Sequence, residues 1–174
     1  MNPSRQIIYL QRKSRYGWAL LACVLLCSCF SDKRLELGDK APGFQLTTLD
    51  GESFRFDPAS GKIHIIYFWA AWCPNCEDDF QLMDKLYKKW KKELNSPCFL
   101  AINAGQTETR IRNFVKRMKT SFPIYIDQDA KLARSFGVHG LPTYFITDKQ
   151  GIIRHIILGW AEEKSLLNEI AKIE

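Results

Sequence analysis

Apolar positions change period along the chain, and the changes mark out its elements. Phe44-Gln45-Leu46-Thr47-Thr48 and Ser53-Phe54-Arg55-Phe56 alternate around Leu49-Asp50-Gly51-Glu52, which predicts a β-hairpin. Residues 63–69 are apolar almost throughout, as expected of a strand covered on both faces of a sheet. From about Pro74 to about Leu94 the period becomes helical, with Phe80, Met83, Leu86, Tyr87 and Trp90 on one stripe. Residues 98–103 read as a second buried strand. A helix is predicted from Thr107 to Thr120, with Ile111, Phe114, Val115 and Met118 inward. A short strand over 122–126 and a short helix over 130–136 follow. Residues 143–147 and 152–157 flank Asp148-Lys149-Gln150-Gly151 as an antiparallel hairpin, and a helix over 162–173 carries Leu166, Leu167 and Ile170. The order hairpin, β, α, β, α, β, short α, β, β, α predicts an α/β fold: a mixed central sheet with helices on both faces, extended by the N-terminal hairpin.

The first 28 residues follow another pattern. Arg5, Arg12, Lys13 and Arg15 precede the apolar run Trp18–Leu26, which is shorter than the roughly 18–20 residues of a spanning helix. This is the form of a signal peptide over 1–28. Leu26-Cys27-Ser28-Cys29 resembles the bacterial lipoprotein processing box, with Cys29 as the acylated first residue, a tether over 29–36 and the folded domain over 37–174. Leu20-Leu21-Ala22-Cys23 is a competing box. Cleavage without lipidation and an uncleaved anchor are the alternatives. The expected location is therefore outside the cytoplasm, in the periplasm or cell envelope, attached to the membrane.

The leader also alters the charge balance. Net charge is +6, but the leader holds four basic residues and no acid, which leaves +2 for residues 29–174. Nothing in that remainder suggests nucleic-acid binding, and the lysines at 88, 89, 91 and 92 read as a solvated helix face. Of the six cysteines, Cys23 and Cys27 leave with the leader and Cys29 takes lipid; Cys73, Cys76 and Cys98 remain. Cys98 lies in an apolar run and reads as a buried thiol.

Trp72-Cys73-Pro74-Asn75-Cys76 joins the buried strand to the first long helix. Two cysteines at this spacing also serve metal sites, but the strand-to-helix setting favours a redox dithiol. At the helix start, unpaired N–H groups and the helix dipole favour a thiolate on Cys73, making it the attacking nucleophile. Cys76, one turn in, resolves the mixed disulfide. At ~100° per residue Asp79 lies on the apolar stripe, about 20° from Leu86 and Trp90 and about 60° from Cys76. A carboxyl there is expected to exchange a proton with Cys76, with burial raising its pKa. The alternative is a solvated first-turn acid favoured by the dipole. In Gly140-Leu141-Pro142-Thr143, Pro142 precedes a strand, where it is either cis or an ordinary trans loop proline.

These segments, with the entry Leu37-Gly38-Asp39-Lys40-Ala41-Pro42-Gly43-Phe44, resemble the TlpA/ResA-like branch of thioredoxin-like thiol–disulfide oxidoreductases over residues 36–174. The resemblance implies a thioredoxin fold without cofactor or metal, with Cys73 as nucleophile, Cys76 as resolving thiol and Pro142 as a cis-proline. Trp72, Leu141 and Pro142 would then contact substrate, the backbone of Leu141 pairing with a bound peptide segment. The implied partners are thiols and disulfides of exported proteins, including apocytochrome c, and a membrane thiol reductase as electron donor. Two positions depart from family patterns: Tyr67 stands where thioredoxin carries a buried aspartate, and Thr143 where members devoted to cytochrome c maturation often carry an acid. An oxidising disulfide donor is the alternative function. A peroxidase needs threonine or serine where Ala70 stands; a zinc module would need ligands that His64, His139 and His155 do not supply as a spaced pair. A purely binding lipoprotein would have no use for a helix-start dithiol.

Overall fold

The computed structural model describes residues 34–173. The expected signal peptide, Cys29 and most of the expected tether lie outside these residues. A seven-stranded mixed sheet runs in the order β2-β1-β5-β4-β3-β6-β7. Its strands are β1 (Phe44–Thr48), β2 (Ser53–Phe56), β3 (His64–Trp69), β4 (Cys98–Ala104), β5 (Ile124–Asp127), β6 (Thr143–Thr147) and β7 (Ile153–Leu158). The helices are α1 (Pro74–Trp90), α2 (Glu108–Met118), α3 (Lys131–Ser135) and α4 (Glu163–Ala171). Strands β3, β4 and β5 are parallel and joined through α1 and α2; β6 and β7 continue the sheet antiparallel beyond β3. The N-terminal hairpin adds to the other side, β1 pairing antiparallel with β5 through Thr47–Ile126 and Thr48–Tyr125. No helix among the described residues is long and apolar enough to cross a membrane.

Strand periodicity sorts the core into two layers, because successive side chains point to opposite faces. Ile65, Tyr67 and Trp69 of β3 face one way with Phe99, Ala101, Tyr144 and Ile146, under Phe80, Met83, Leu86 and Trp90 of α1, Ile111 and Phe114 of α2, and Leu166 and Ile170 of α4. Ile66 and Phe68 face the other way with Leu100, Ile102 and Phe145, under Phe56, Ala133 and Phe136. Every residue of β3 is buried, which is why its sequence shows no alternation. Leu35, within the segment expected to be a tether, packs half-buried against the second layer.

Several boundaries differ from the sequence pattern. Helix α1 stops at Trp90 rather than near Leu94: the Lys91 N–H already closes onto the Tyr87 and Lys89 carbonyls, and Leu94 is fully exposed. Leu94 continues the apolar pattern in sequence, but the backbone has left the helix before reaching it. Strand β5 begins at Ile124 rather than 122, consistent with a proline at 123 that has no N–H to give the ladder. Helix α2 ends at Met118, where Lys119 turns left-handed with φ 55°. Tyr87, Val115, Met118 and Leu167 are partly rather than fully covered, as is Cys98.

Candidate active site

Strand β3 delivers the chain to the end of the sheet, and the turn Ala70–Trp72 redirects it into α1. Cys73 is the N-cap of that helix, with extended backbone (φ −91°, ψ 112°) and Pro74 in the first turn. Proline fits there because its missing N–H has no intrahelical partner. Cys73 and Cys76 form a disulfide, their Cα atoms 5.3 Å apart. The Cys73 Sγ accepts the Cys76 backbone N–H at 3.3 Å. After reduction, that N–H and the positive end of the helix dipole favour negative charge on Cys73. Both cysteines are buried, Cys76 completely, whereas the neighbouring Trp72 is 66% exposed.

The turn is held from behind by Gln106, from the loop between β4 and α2. Its Oε1 accepts the Ala71 N–H at 2.5 Å and the Asn103 Nδ2–H at 3.0 Å. Gln106 is 5% exposed and Asn103 is fully buried, opposite Trp69 in the β3–β4 register.

Asp79, one helical turn beyond Cys76, has no solvent exposure. It occupies the apolar stripe, as the helical angle placed it, and is not a solvated first-turn acid. The Tyr144 hydroxyl donates to its Oδ2 at 2.5 Å, and the Ala161 N–H donates to its Oδ1 at 3.4 Å. Burial pushes the carboxyl up from its ordinary 3.8 to about 6, against the Tyr144 and Ala161 bonds, which pull it down. Tyr67 and Tyr144 are directly opposed on β3 and β6, their rings stacked at 4.5 Å. The Tyr67 hydroxyl reaches the Cys76 carbonyl at 3.5 Å. Burial raises the pKa of both phenols, so both remain protonated donors at neutral pH.

Strand β6 pairs Thr143 with Phe68, so the residues just before it stand at the end of the sheet from which the cysteine turn emerges. The Leu141–Pro142 peptide bond is cis. The Pro142 carbonyl accepts the Gly159 N–H at 2.8 Å, and the Thr143 hydroxyl donates to the Gly140 carbonyl at 2.7 Å. Leu141 lies outside the β6 ladder and is half-buried; the nearby Leu158 and Trp160 are exposed. The structure thus brings Cys73, Cys76 and Asp79 together on α1 and sets Trp72, Leu141 and Pro142 at the same end of the sheet.

His64 opens β3 at its far end, His139 is exposed in the loop before Pro142, and the His155 Nδ1 pairs with Glu169 at 3.0 Å. Tyr144, Gln106 and the Ala161 amide were not legible as site groups. A tyrosine on the inward face of an apolar strand is a usable signal, since a buried hydroxyl normally finds a partner. The Ala161 amide leaves no such mark.

The defining pattern of the AhpC/TSA family matches residues 37–156. The chain is 31% identical over 172 residues to the thiol-disulfide oxidoreductase ResA of a Bacillus cereus strain, covering 93% of this chain and 98% of that protein. Among solved structures it resembles the thiol:disulfide interchange protein DsbE from Chlorobium tepidum, with TM-score 0.72 and 26% identity over 80% of this chain and 98% of the other. It also resembles the pneumococcal exposed lipoprotein thioredoxin from Streptococcus pneumoniae, with TM-score 0.67 and 25% identity over 75% of this chain and 99% of the other.

Proposed function

The chain belongs to the AhpC/TSA family as a thiol–disulfide oxidoreductase of the ResA type, and from that premise we propose that it works outside the cytoplasm as a membrane-tethered reductase of disulfides in exported proteins. The observation that carries the reading is the helix-capping Cys73–Cys76 pair with a buried carboxyl, Asp79, one turn behind the resolving cysteine. The basic-apolar leader and Cys29 support export and lipid attachment, as does the likeness to an exposed lipoprotein thioredoxin.

In the reduced protein the Cys73 thiolate attacks one sulfur of a substrate disulfide. A Cys73–substrate bond forms, the substrate S–S bond breaks, and the first substrate sulfur leaves as a thiolate. Cys76 then gives its proton to the Asp79 carboxylate and attacks Cys73 Sγ. The Cys73–Cys76 bond forms and the second substrate sulfur departs, so the dithiol loses two electrons and the substrate disulfide gains them. A carboxyl titrating near 6 is ionised at neutral pH and is therefore in the form that accepts a proton. Trp72, Leu141 and Pro142 form the contact surface for the polypeptide around the disulfide. A membrane thiol reductase returns the electrons. Thr143 places no carboxylate beside Pro142, and the substrate class is exported proteins in general, with apocytochromes c among them. A peroxidase reading is disfavoured by Ala70, a buried methyl where that chemistry needs a hydroxyl.

The test is Cys76→Ser in the native host, which leaves the Cys73 mixed disulfide unresolved. Exported proteins are expected to be recovered linked to Cys73 and released by dithiothreitol. A folded variant that captures none refutes the reading.

A further inference from the structure

Asp79 is held by donors from two directions, and the closer is a side chain with a defined support. Tyr144 reaches Oδ2 at 2.5 Å from β6; the Ala161 amide reaches Oδ1 at 3.4 Å from the loop after β7. The Tyr144 ring is fully buried and stacks at 4.5 Å and 24° on Tyr67, its cross-strand neighbour. Tyr67 in turn packs at 6.2 Å from Phe80 and 5.9 Å from Phe99, and its hydroxyl touches the Cys76 carbonyl. One pair of stacked rings therefore contacts both the carboxyl and the backbone of the resolving cysteine.

We propose that Tyr144 is a positioning residue for the resolving step: its hydroxyl, braced by the Tyr67 ring, fixes the Asp79 carboxyl in the orientation that receives the Cys76 proton. The inference rests on the reading of Asp79 as that proton acceptor. An ionised carboxyl has about four lone-pair sites, so two donors fix its plane and leave room for the incoming proton. Tyr144 keeps its own proton throughout; the proton passes from Cys76 Sγ to Asp79, and no electron passes through either phenol. Without a fixed partner, a short carboxyl side chain in an apolar layer would sample several rotamers, and only some of them face Cys76.

The groups facing Asp79 are the Tyr144 phenol from β6, the Tyr67 phenol behind it on β3, Asp78 on α1 and the Ala161 amide, with Cys76 buried one turn earlier on the same helix. Tyr144 stabilises the ionised carboxyl, whereas burial and Asp78 oppose it. Replacing the hydroxyl while keeping the ring shifts that balance toward the protonated form.

The experiment is a 13C-NMR titration of the Asp79 carboxyl in the oxidised protein, where neither cysteine titrates, in wild type and Tyr144→Phe. It is paired with the pH dependence of mixed-disulfide resolution in single turnover. The Asp79 midpoint is expected to rise by about one pH unit in Tyr144→Phe, the loss of one hydrogen bond to a charged group. The acid limb of resolution is expected to move with it. An unmoved midpoint in a folded variant overturns the inference for Tyr144 alone. Should the midpoint move while the resolution limb stays, Asp79 is not the proton acceptor, and the parent reading falls with this one. Asp79→Asn separates the two: it removes the limb if Asp79 is the acceptor, and Tyr144→Phe on that background then has no further effect on resolution.

Discussion

Replacing Asp79 with asparagine is expected to make the oxidised protein more stable at neutral pH and no more stable in acid. The carboxyl titrates at about 6 in the folded chain against an ordinary value of 3.8. Between those values the folded chain binds more protons than the unfolded one, so stability falls as pH rises across that window. Below the window both states are protonated and the cost is absent; above it both are ionised and the cost is complete. A difference of about two pH units at 1.36 kcal/mol each gives a cost of about 3 kcal/mol above pH 7. The helix dipole offsets little of this, since Asp79 lies beyond the first turn of α1, where the effect of the dipole has fallen off. Asparagine has the same shape and still offers an oxygen to Tyr144. Urea unfolding of both oxidised proteins at intervals from pH 3.5 to 8 provides the assay. The gap in ΔG is expected to open from near zero at the acid end and level off above pH 7 at about 3 kcal/mol in favour of Asp79→Asn. A gap that is constant with pH, or that favours wild type at pH 8, refutes the reasoning.

Phe80→Ala should cost about 3–5 kcal/mol in urea unfolding, because its ring lies 4.5 Å from Trp69, 4.9 Å from Phe114 and 5.2 Å from Phe122. Gln106→Ala leaves the Ala71 N–H without its partner and should lower the alkylation rate of reduced Cys73 several-fold, read with iodoacetamide, at a stability cost of about 1–2 kcal/mol. Asp148→Ala opens the β6–β7 turn, where the carboxyl accepts from the Gln150 and Ile152 amides at 2.9 Å each and from Arg154 Nε at 2.7 Å. Burial pushes the Asp148 carboxyl up, but those bonds outweigh it and hold it below the usual range. Its contribution is present above the unfolded value and is lost as pH falls through the lower folded one. The stability gap between wild type and Asp148→Ala should therefore narrow as urea unfolding is moved from pH 7 into acid.

Elements of strong period could be read from the sequence because burial imposes the period. The stripe of α1 and the unbroken apolar run of β3 each report which faces are covered. Element ends were harder to read, since Leu94 and Phe122 extend an apolar pattern where the backbone has already left the helix or not yet entered the strand. The position of Asp79 on the buried stripe came from helical angle alone, because both groups belong to one helix with fixed geometry. Its partners did not, because Tyr144 is 65 residues away and Ala161 is 82. Contacts across that separation depend on strand register, which the pattern of a single strand does not set.

The direction of electron flow is the centre of the functional account, and one equilibrium measures it. Oxidised protein is titrated with reduced and oxidised dithiothreitol, and the Cys73–Cys76 fraction reduced is read by thiol alkylation and mass. A reductase requires a midpoint near the thioredoxin end of the scale, about −270 mV. A midpoint near about −120 mV, the value of the strong oxidant DsbA, would mean that the protein donates its disulfide and would contradict the account.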